Sequence, residues 1–193
     1  MARKASVGNE DLLARLGATF RRVGYDGASL AQLSEATGLK KASLYHRFPD
    51  GKEQMGLEVL QEAGRWLTRH VLEPLAGEGS PRERITAMAS ELDVFYQNGK
   101  QACLLNLLSS PIGIAGPFQT AIRDMLEAFV AALAAVAEEA GFTPTEARER
   151  AERLVALVQG GLVLARGLGS TDPFTRVLSR LPTELLGTDT AIA

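Results

Sequence analysis

Residues 29 to 52 read Ser-Leu-Ala-Gln-Leu-Ser-Glu-Ala-Thr-Gly-Leu-Lys-Lys-Ala-Ser-Leu-Tyr-His-Arg-Phe-Pro-Asp-Gly-Lys. Two short helical patterns flank the turn Gly38-Leu39-Lys40-Lys41. Ser29 and Gln32 have the spacing of a capping box, which predicts a helix carrying Leu30 and Leu33. Gly38 closes it, because glycine enters the left-handed conformation at low cost. A further helix is predicted from about Lys40 to Phe48, with Leu44 and Phe48 facing inward four residues apart. Its other face carries small, hydroxylic and aromatic residues where a core helix would need aliphatics. That layout is a helix-turn-helix whose second helix is offered to a DNA groove.

The charge distribution agrees. The 193-residue chain has net charge −2, yet residues 1 to 56 carry +3 and the remainder −5. A basic N-terminal quarter on an acidic body fits one DNA-facing end. Hydrophobic residues make up 46% of the chain, enough to bury a sizeable core. The single Cys103 rules out an internal disulfide and fits a reducing compartment. No run of about 18 apolar residues occurs, and Met-Ala-Arg-Lys is not followed by an apolar stretch. A soluble, cytoplasmic protein with no membrane partner is expected.

Helical spacing recurs outward from this stretch in both directions, and no segment alternates with period two. Leu12, Leu16, Phe20 and Val23 form one stripe, opened by Glu10 and Asp11 and ended by Gly24. Asp50 with Glu53 signals a long helix through Met55, Val59, Ala63, Leu67 and Val71, stopping near Pro74. Ser80-Pro81-x-Glu83 opens the next, carrying Ile85, Met88, Ala89, Leu92, Phe95 and Tyr96. A short piece covers roughly Gln101 to Ser109, and Pro111 to Pro117 is irregular. A long helix through Leu126, Leu133 and Val136 ends at Gly141. Thr143-Pro144-x-Glu146 opens another, to about Arg166, and Asp172-Pro173 opens the last, to about Leu181. The fold class is all-α with about nine helices and no strands. The expected domains are 1–52, a three-helix helix-turn-helix DNA-binding domain, and 53–186, a helical effector-binding and dimerisation domain. Residues 187–193 are expected to be a disordered tail.

Gly24-Tyr25-Asp26, Ser29-Leu30-x-x-Leu33, Gly38-Leu39 and Ser43-Leu44-Tyr45-His46-x-Phe48, with Lys52 at the next helix start, resemble the N-terminal domain of tetracycline-repressor (TetR) family regulators. The similarity covers about residues 10 to 56. Length and helix count beyond it suit that family's ligand-binding and dimerisation domain. At the DNA-facing end, Ser29 sits at a helix N-terminus, where its hydroxyl and the N–H groups can hold a phosphate. Lys52 can add another phosphate contact. Lys40, Lys41, Ala42, Ser43, Tyr45 and His46 form the outer face of the third helix. Small Ala42 and Ser43 permit close approach to base edges, while Tyr45 and His46 can donate to phosphates or bases. The resemblance implies that these positions contact DNA. Ala31 departs from it, standing where many relatives have Arg or Lys, so one contact is expected to be missing.

Two further surfaces are expected. Tethering two half-site contacts multiplies affinity through effective concentration, so a homodimer is predicted. Its interface is assigned to Leu154, Leu157, Val158, Gly161, Leu162 and Ala165 on one helix, with Val177, Leu178 and Leu181 on the next. Gly160-Gly161 inside a helix, at about 1 kcal/mol each relative to Ala, points to close helix approach. Between the two ends, an effector pocket is assigned to Trp66, His70, Phe95, Tyr96, Cys103, Leu104 and Leu107. Phe118, Ile122, Met125 and Phe129 complete its apolar lining, with Asn106 and Gln159 as hydrogen-bonding handles. That composition suits a lipophilic or aromatic effector, although the same spacing also arises in a plain helical core.

The leading reading is thus a ligand-responsive transcriptional repressor that binds a palindromic double-stranded operator as a dimer and is released by its effector. The alternative is a helical small-molecule carrier or interaction protein that has lost DNA binding, which Ala31 favours. An enzyme would need Cys103 as nucleophile with His46 or His70 as base, and no spacing supports that pairing. No catalytic residues and no cofactor are expected. Two histidines and one cysteine make a nitrogen/sulfur zinc set hard to assemble, so no metal is expected either.

Overall fold

A computed structural model of the chain describes residues 8–111 and 113–188. The Arg3-Lys4 start and residues 189–193 of the expected tail lie outside the described residues. Among the described residues the regular elements are helices, without strands: α1 (Asn9–Gly27), α2 (Leu30–Thr37), α3 (Lys41–Arg47), α4 (Gly51–Leu67), α5 (Glu73–Leu75), α6 (Pro81–Phe95), α7 (Leu104–Leu108), α8 (Gln119–Glu139), α9 (Pro144–Leu168) and α10 (Asp172–Leu186). A π-helical turn, Thr68–Leu72, joins α4 to α5, so helical backbone runs on to Leu75 where a single helix stopping near Pro74 was expected. Proline has no N–H for the carbonyl four residues back. The turn absorbs that loss, with the Glu73 N–H reaching the Thr68 carbonyl instead.

Local chemistry sets most helix ends. Ser29, Ser80 and Thr143 each close a full capping box with Gln32, Glu83 and Glu146. Asp50 does not pair with Glu53 as its spacing suggested; its amide donates to Gln54 Oε1 at 3.1 Å. Gly24 breaks α1 at φ 75°, a backbone angle costly for any residue with a Cβ. The one large difference from the expected boundaries is α10, which passes Pro182 and continues to Leu186. Pro182 is buried beside Leu181 and Leu185, so packing holds the helix through the missing backbone bond.

The chain forms two compact units, one of residues up to Gly64 with Leu104–Ile122, the other of Arg65–Cys103 with residues from Arg123 onward. This differs from the expected division between residues 52 and 53. The early turns of α4 bury Met55, Val59 and Leu60, and α7 packs on α1. In the first unit Leu12, Leu16, Phe20, Leu33, Leu44 and Phe48 form a core without solvent exposure beyond a few percent. In the second, α10 packs on α9 and α6, burying Leu154, Val158, Phe174, Leu181 and Leu185. Arg84 is buried there too, donating to the Leu75 carbonyl at 2.8 Å and pairing with Glu139.

Candidate nucleic-acid interface

The turn between α2 and α3 is fixed by side chains as well as by Gly38. Ser34 Oγ donates to the Leu39 carbonyl at 2.6 Å, and Thr37 Oγ1 donates to the Leu33 carbonyl at 2.7 Å while accepting from the Leu39 N–H at 3.4 Å. Gly38 takes φ 69° between them. These bonds set the angle at which α3 leaves α2. On α3, Leu44 and Phe48 are fully buried. Arg47 turns the same way: its guanidinium reaches Glu58 at 2.6 and 3.0 Å and Asn9 at 2.8 Å, and lies over the Phe48 ring. Two inward anchors on a seven-residue helix and a third, Phe48, just past its end leave one outward face.

That face contains Lys40, Lys41, Ala42, Ser43, Tyr45 and His46, and all six are exposed. Ser29 is exposed as well, but its hydroxyl and its own N–H are committed to the capping box with Gln32. The phosphate donors at that helix start are therefore the N–H groups of Leu30 and Ala31. Lys52, expected to add a phosphate contact, is engaged within the protein. Its Nζ donates to the Tyr25 carbonyl at 2.9 Å and lies 4.4 Å from the Tyr25 ring centroid.

Tyr25 is the residue the sequence reading left without a role. Its ring meets Phe118 edge-on at 4.8 Å, and Phe118 presses against Gly56 so closely that a Cβ there would sit 2.7 Å from Cζ. The usable signal was the paired oddity of an aromatic after Gly24 and a glycine inside α4.

The residues assigned to an effector pocket fall into both units. Leu104, Asn106, Leu107, Phe118 and Ile122 belong to the first; Trp66, His70, Phe95, Tyr96, Cys103, Met125, Phe129 and Gln159 to the second. Phe118 is buried against Gly56 and Tyr25, which makes it core in its own unit. In the second unit the aromatics stack on one another. Trp66 lies 3.9 Å from Phe95 and 5.1 Å from His70, centroid to centroid. His70 Nδ1 pairs with Glu91 at 3.2 Å. Tyr96 Oη donates to Cys103 Sγ at 3.4 Å. A groove of 310 Å³ in this unit is lined by Thr86, Ala89, Ser90, Asp93, Thr175, Leu178, Ser179 and Pro182, none of them among the assigned residues.

Most of the residues assigned to the dimer face lie inside the protomer. Leu154, Val158, Gly161, Leu162, Ala165, Leu178 and Leu181 are buried within the protomer, and Leu157 and Val177 are half-buried. The buried ones among them keep at most a few percent of their surface. Gly161 does mark a close helix approach, but to α10 of its own chain: a Cβ would lie 3.2 Å from Val177 Cγ2. The outward apolar residues of α9 are Val163, Leu164 and Leu168, 44 to 69% exposed. Gly160 and Gly167 on the same helix face open space. Leu154 to Leu168 is apolar nearly all round, the mark of a helix covered on both sides.

No helix of the described residues is long and apolar enough to cross a membrane. Residues 12–59 match a family model described as bacterial regulatory proteins of the tetR family, and residues 81–180 match the C-terminal domain of LmrA/YxaF-like transcriptional regulators. The transcriptional regulator LmrA of Bacillus subtilis is 23% identical over 181 residues, covering 90% of this chain and 94% of LmrA. A TetR regulator from Legionella pneumophila superposes with TM-score 0.78 at 23% identity, over 92% of this chain and 97% of that one. FadR of Bacillus subtilis, solved in complex with stearoyl-CoA, superposes with TM-score 0.71 at 12% identity, over 93% and 99%. A helix-turn-helix with its reading face outward, followed by a helical domain matching a regulator's, makes this chain a member of the TetR family of DNA-binding transcriptional regulators.

Proposed function

We propose that the protein is a repressor that binds a palindromic operator as a homodimer and leaves it when a small lipophilic or aromatic effector binds. The observation that carries this is the division of the Lys40–Phe48 stretch into an inner side, with Leu44 and Phe48 buried and Arg47 half-buried and tied to Glu58, and an exposed side running from Lys40 to His46. Ala42 and Ser43 allow the backbone close to base edges, Tyr45 and His46 donate beside them, and Lys40, Lys41 and Lys52 neutralise phosphates. The helix N-terminus after Ser29 contributes N–H groups to the same backbone.

Dimerisation is assigned to the outward strip of α9, Val163, Leu164 and Leu168, with Gly160 and Gly167 letting a second helix approach. Two reading helices about 34–36 Å apart then meet half-sites one turn apart. FadR, whose fold this chain shares, was solved in complex with stearoyl-CoA, and that supports an apolar effector in the helical domain here. An effector that favours a wrongly spaced pair of reading helices by about 1–3 kcal/mol accounts for release. Such a protein works in the cytoplasm, where its operator is.

Fluorescence anisotropy with the duplex upstream of the chain's own gene tests the reading. Binding that weakens steeply with salt, saturates at two protomers per site and is lost with a lipophilic compound supports it. Equal binding to an unrelated duplex of the same length would refute it.

A further inference from the structure

We propose that the groove between α6 and α10 binds an organic ammonium ion that carries an apolar group. The inference stands on the second unit alone and does not depend on the repressor reading.

Four hydroxyls line the groove, and each has its proton committed to its own helix. Thr86 Oγ1 donates to the Arg82 carbonyl at 2.8 Å and Ser90 Oγ to the Thr86 carbonyl at 3.2 Å. Across the groove, Thr175 Oγ1 donates to the Thr171 carbonyl at 3.3 Å and Ser179 Oγ to the Arg176 carbonyl at 3.0 Å. What these oxygens have left is lone pairs. Asp93 adds a carboxylate. Its Oδ2 takes a long bond of 3.4 Å from Asn98, while Oδ1 is buried without a hydrogen-bond partner. Pro182 has no N–H to give the carbonyl of Leu178, and both residues line the groove.

The wall therefore offers acceptors only. Oδ1 lies beneath the surface, so the carboxylate meets the groove through Oδ2, whose single long bond leaves lone pairs to accept. The complement is a group that brings donors and positive charge, which an ammonium does with its N–H bonds. Ala89, Leu178 and Pro182 supply an apolar strip beside it. At 310 Å³ the groove suits a small ligand. An anion would meet the Asp93 charge, and a neutral acceptor would find no donor.

Calorimetric titration of the full-length protein with phenethylamine, 2-phenylethanol and 3-phenylpropionate tests this. Saturable binding of the amine, at least about tenfold tighter than the alcohol and without detectable binding of the acid, is expected. Asp93→Asn should weaken the amine by about tenfold or more. Ser179→Leu, at an exposed position, should abolish it by filling the groove and serves as the deciding variant should Asp93→Asn not fold. Equal affinity for amine and alcohol, amine binding untouched by Ser179→Leu, or no heat from the folded protein at millimolar amine would each overturn the assignment.

Discussion

Replacing Gly56 by alanine sets two opposed effects against each other at one atom. Inside α4, alanine is favoured over glycine by about 1 kcal/mol from backbone entropy. The new Cβ, however, would lie 2.7 Å from Cζ and 2.8 Å from Cε1 of Phe118, where carbons prefer about 3.5–4.0 Å. The Phe118 ring is 2% exposed and held edge-on by Tyr25, so it has little room to swing away. Overpacking of this kind costs about 1–3 kcal/mol, and it outweighs the helix gain. The expected net loss is about 1 kcal/mol, or about 2–4 °C in Tm for a chain of this length.

The displacement should also travel. Phe118 pushes on Tyr25, and Tyr25 carries Lys52 through its ring and its carbonyl. If Lys52 neutralises a phosphate as proposed, displacing it should flatten the salt dependence of DNA binding by about one unit, equally for all sequences. Circular-dichroism melts and anisotropy titrations from low to high salt measure both quantities. Gly56→Ala combined with Phe118→Leu makes room for the methyl group and should recover part of the loss, a coupling of about 0.5–3 kcal/mol. A Gly56→Ala protein that melts higher than the parent and keeps its salt slope would refute the chain of contacts.

Replacing Ser43 with Ala should shift the preferred bases in a selection experiment at particular positions; an unchanged profile would show that Ser43 does not read sequence. Leu164→Glu, on the outward strip of α9, should yield a folded monomer by light scattering, whereas Leu154→Glu should unfold the protomer by burying a charge. A Leu164→Glu protein that remains dimeric would move the interface elsewhere. Glu83 is held below the usual carboxylate range by the Ser80 N–H and hydroxyl, and Glu146 by the Thr143 hydroxyl and N–H. A carboxyl depressed in the folded state stabilises above its unfolded pKa of about 4.3 and loses that contribution as pH falls through the lower folded value. Glu83→Gln with Glu146→Gln should therefore flatten the fall of Tm below about pH 4.5, and an identical acid profile would count against the capping interactions.

Much of the fold was legible because its signals are local. Ser29, Ser80 and Thr143 each announce a helix through a partner three residues away, and Gly38 and Gly24 end one through their own backbone freedom. The outward face of α3 was legible for the same reason, since Leu44 and Phe48 define its inner side. What escaped depended on contacts distant in sequence. Nothing near Lys52 shows that Tyr25, on another helix, would take its ammonium. α9 is apolar on both sides, so periodicity found the stripe of Leu154, Val158 and Leu162 but not that α10 of the same chain covers it. Pro182 reads as a stop signal, and only its burial between Leu181 and Leu185 shows why the helix continues.

The tether of Arg47 to Glu58 and Asn9 has an evolutionary consequence. Because the anchors of α3 all point one way, Ala42, Ser43, Tyr45 and His46 can be exchanged without touching what holds the helix in place. Recognition can drift while folding stays constant, so two proteins sharing this scaffold and these anchors are free to serve unrelated promoters. If those four outward positions read bases as proposed, target sequences have to be compared there, where overall resemblance carries no weight.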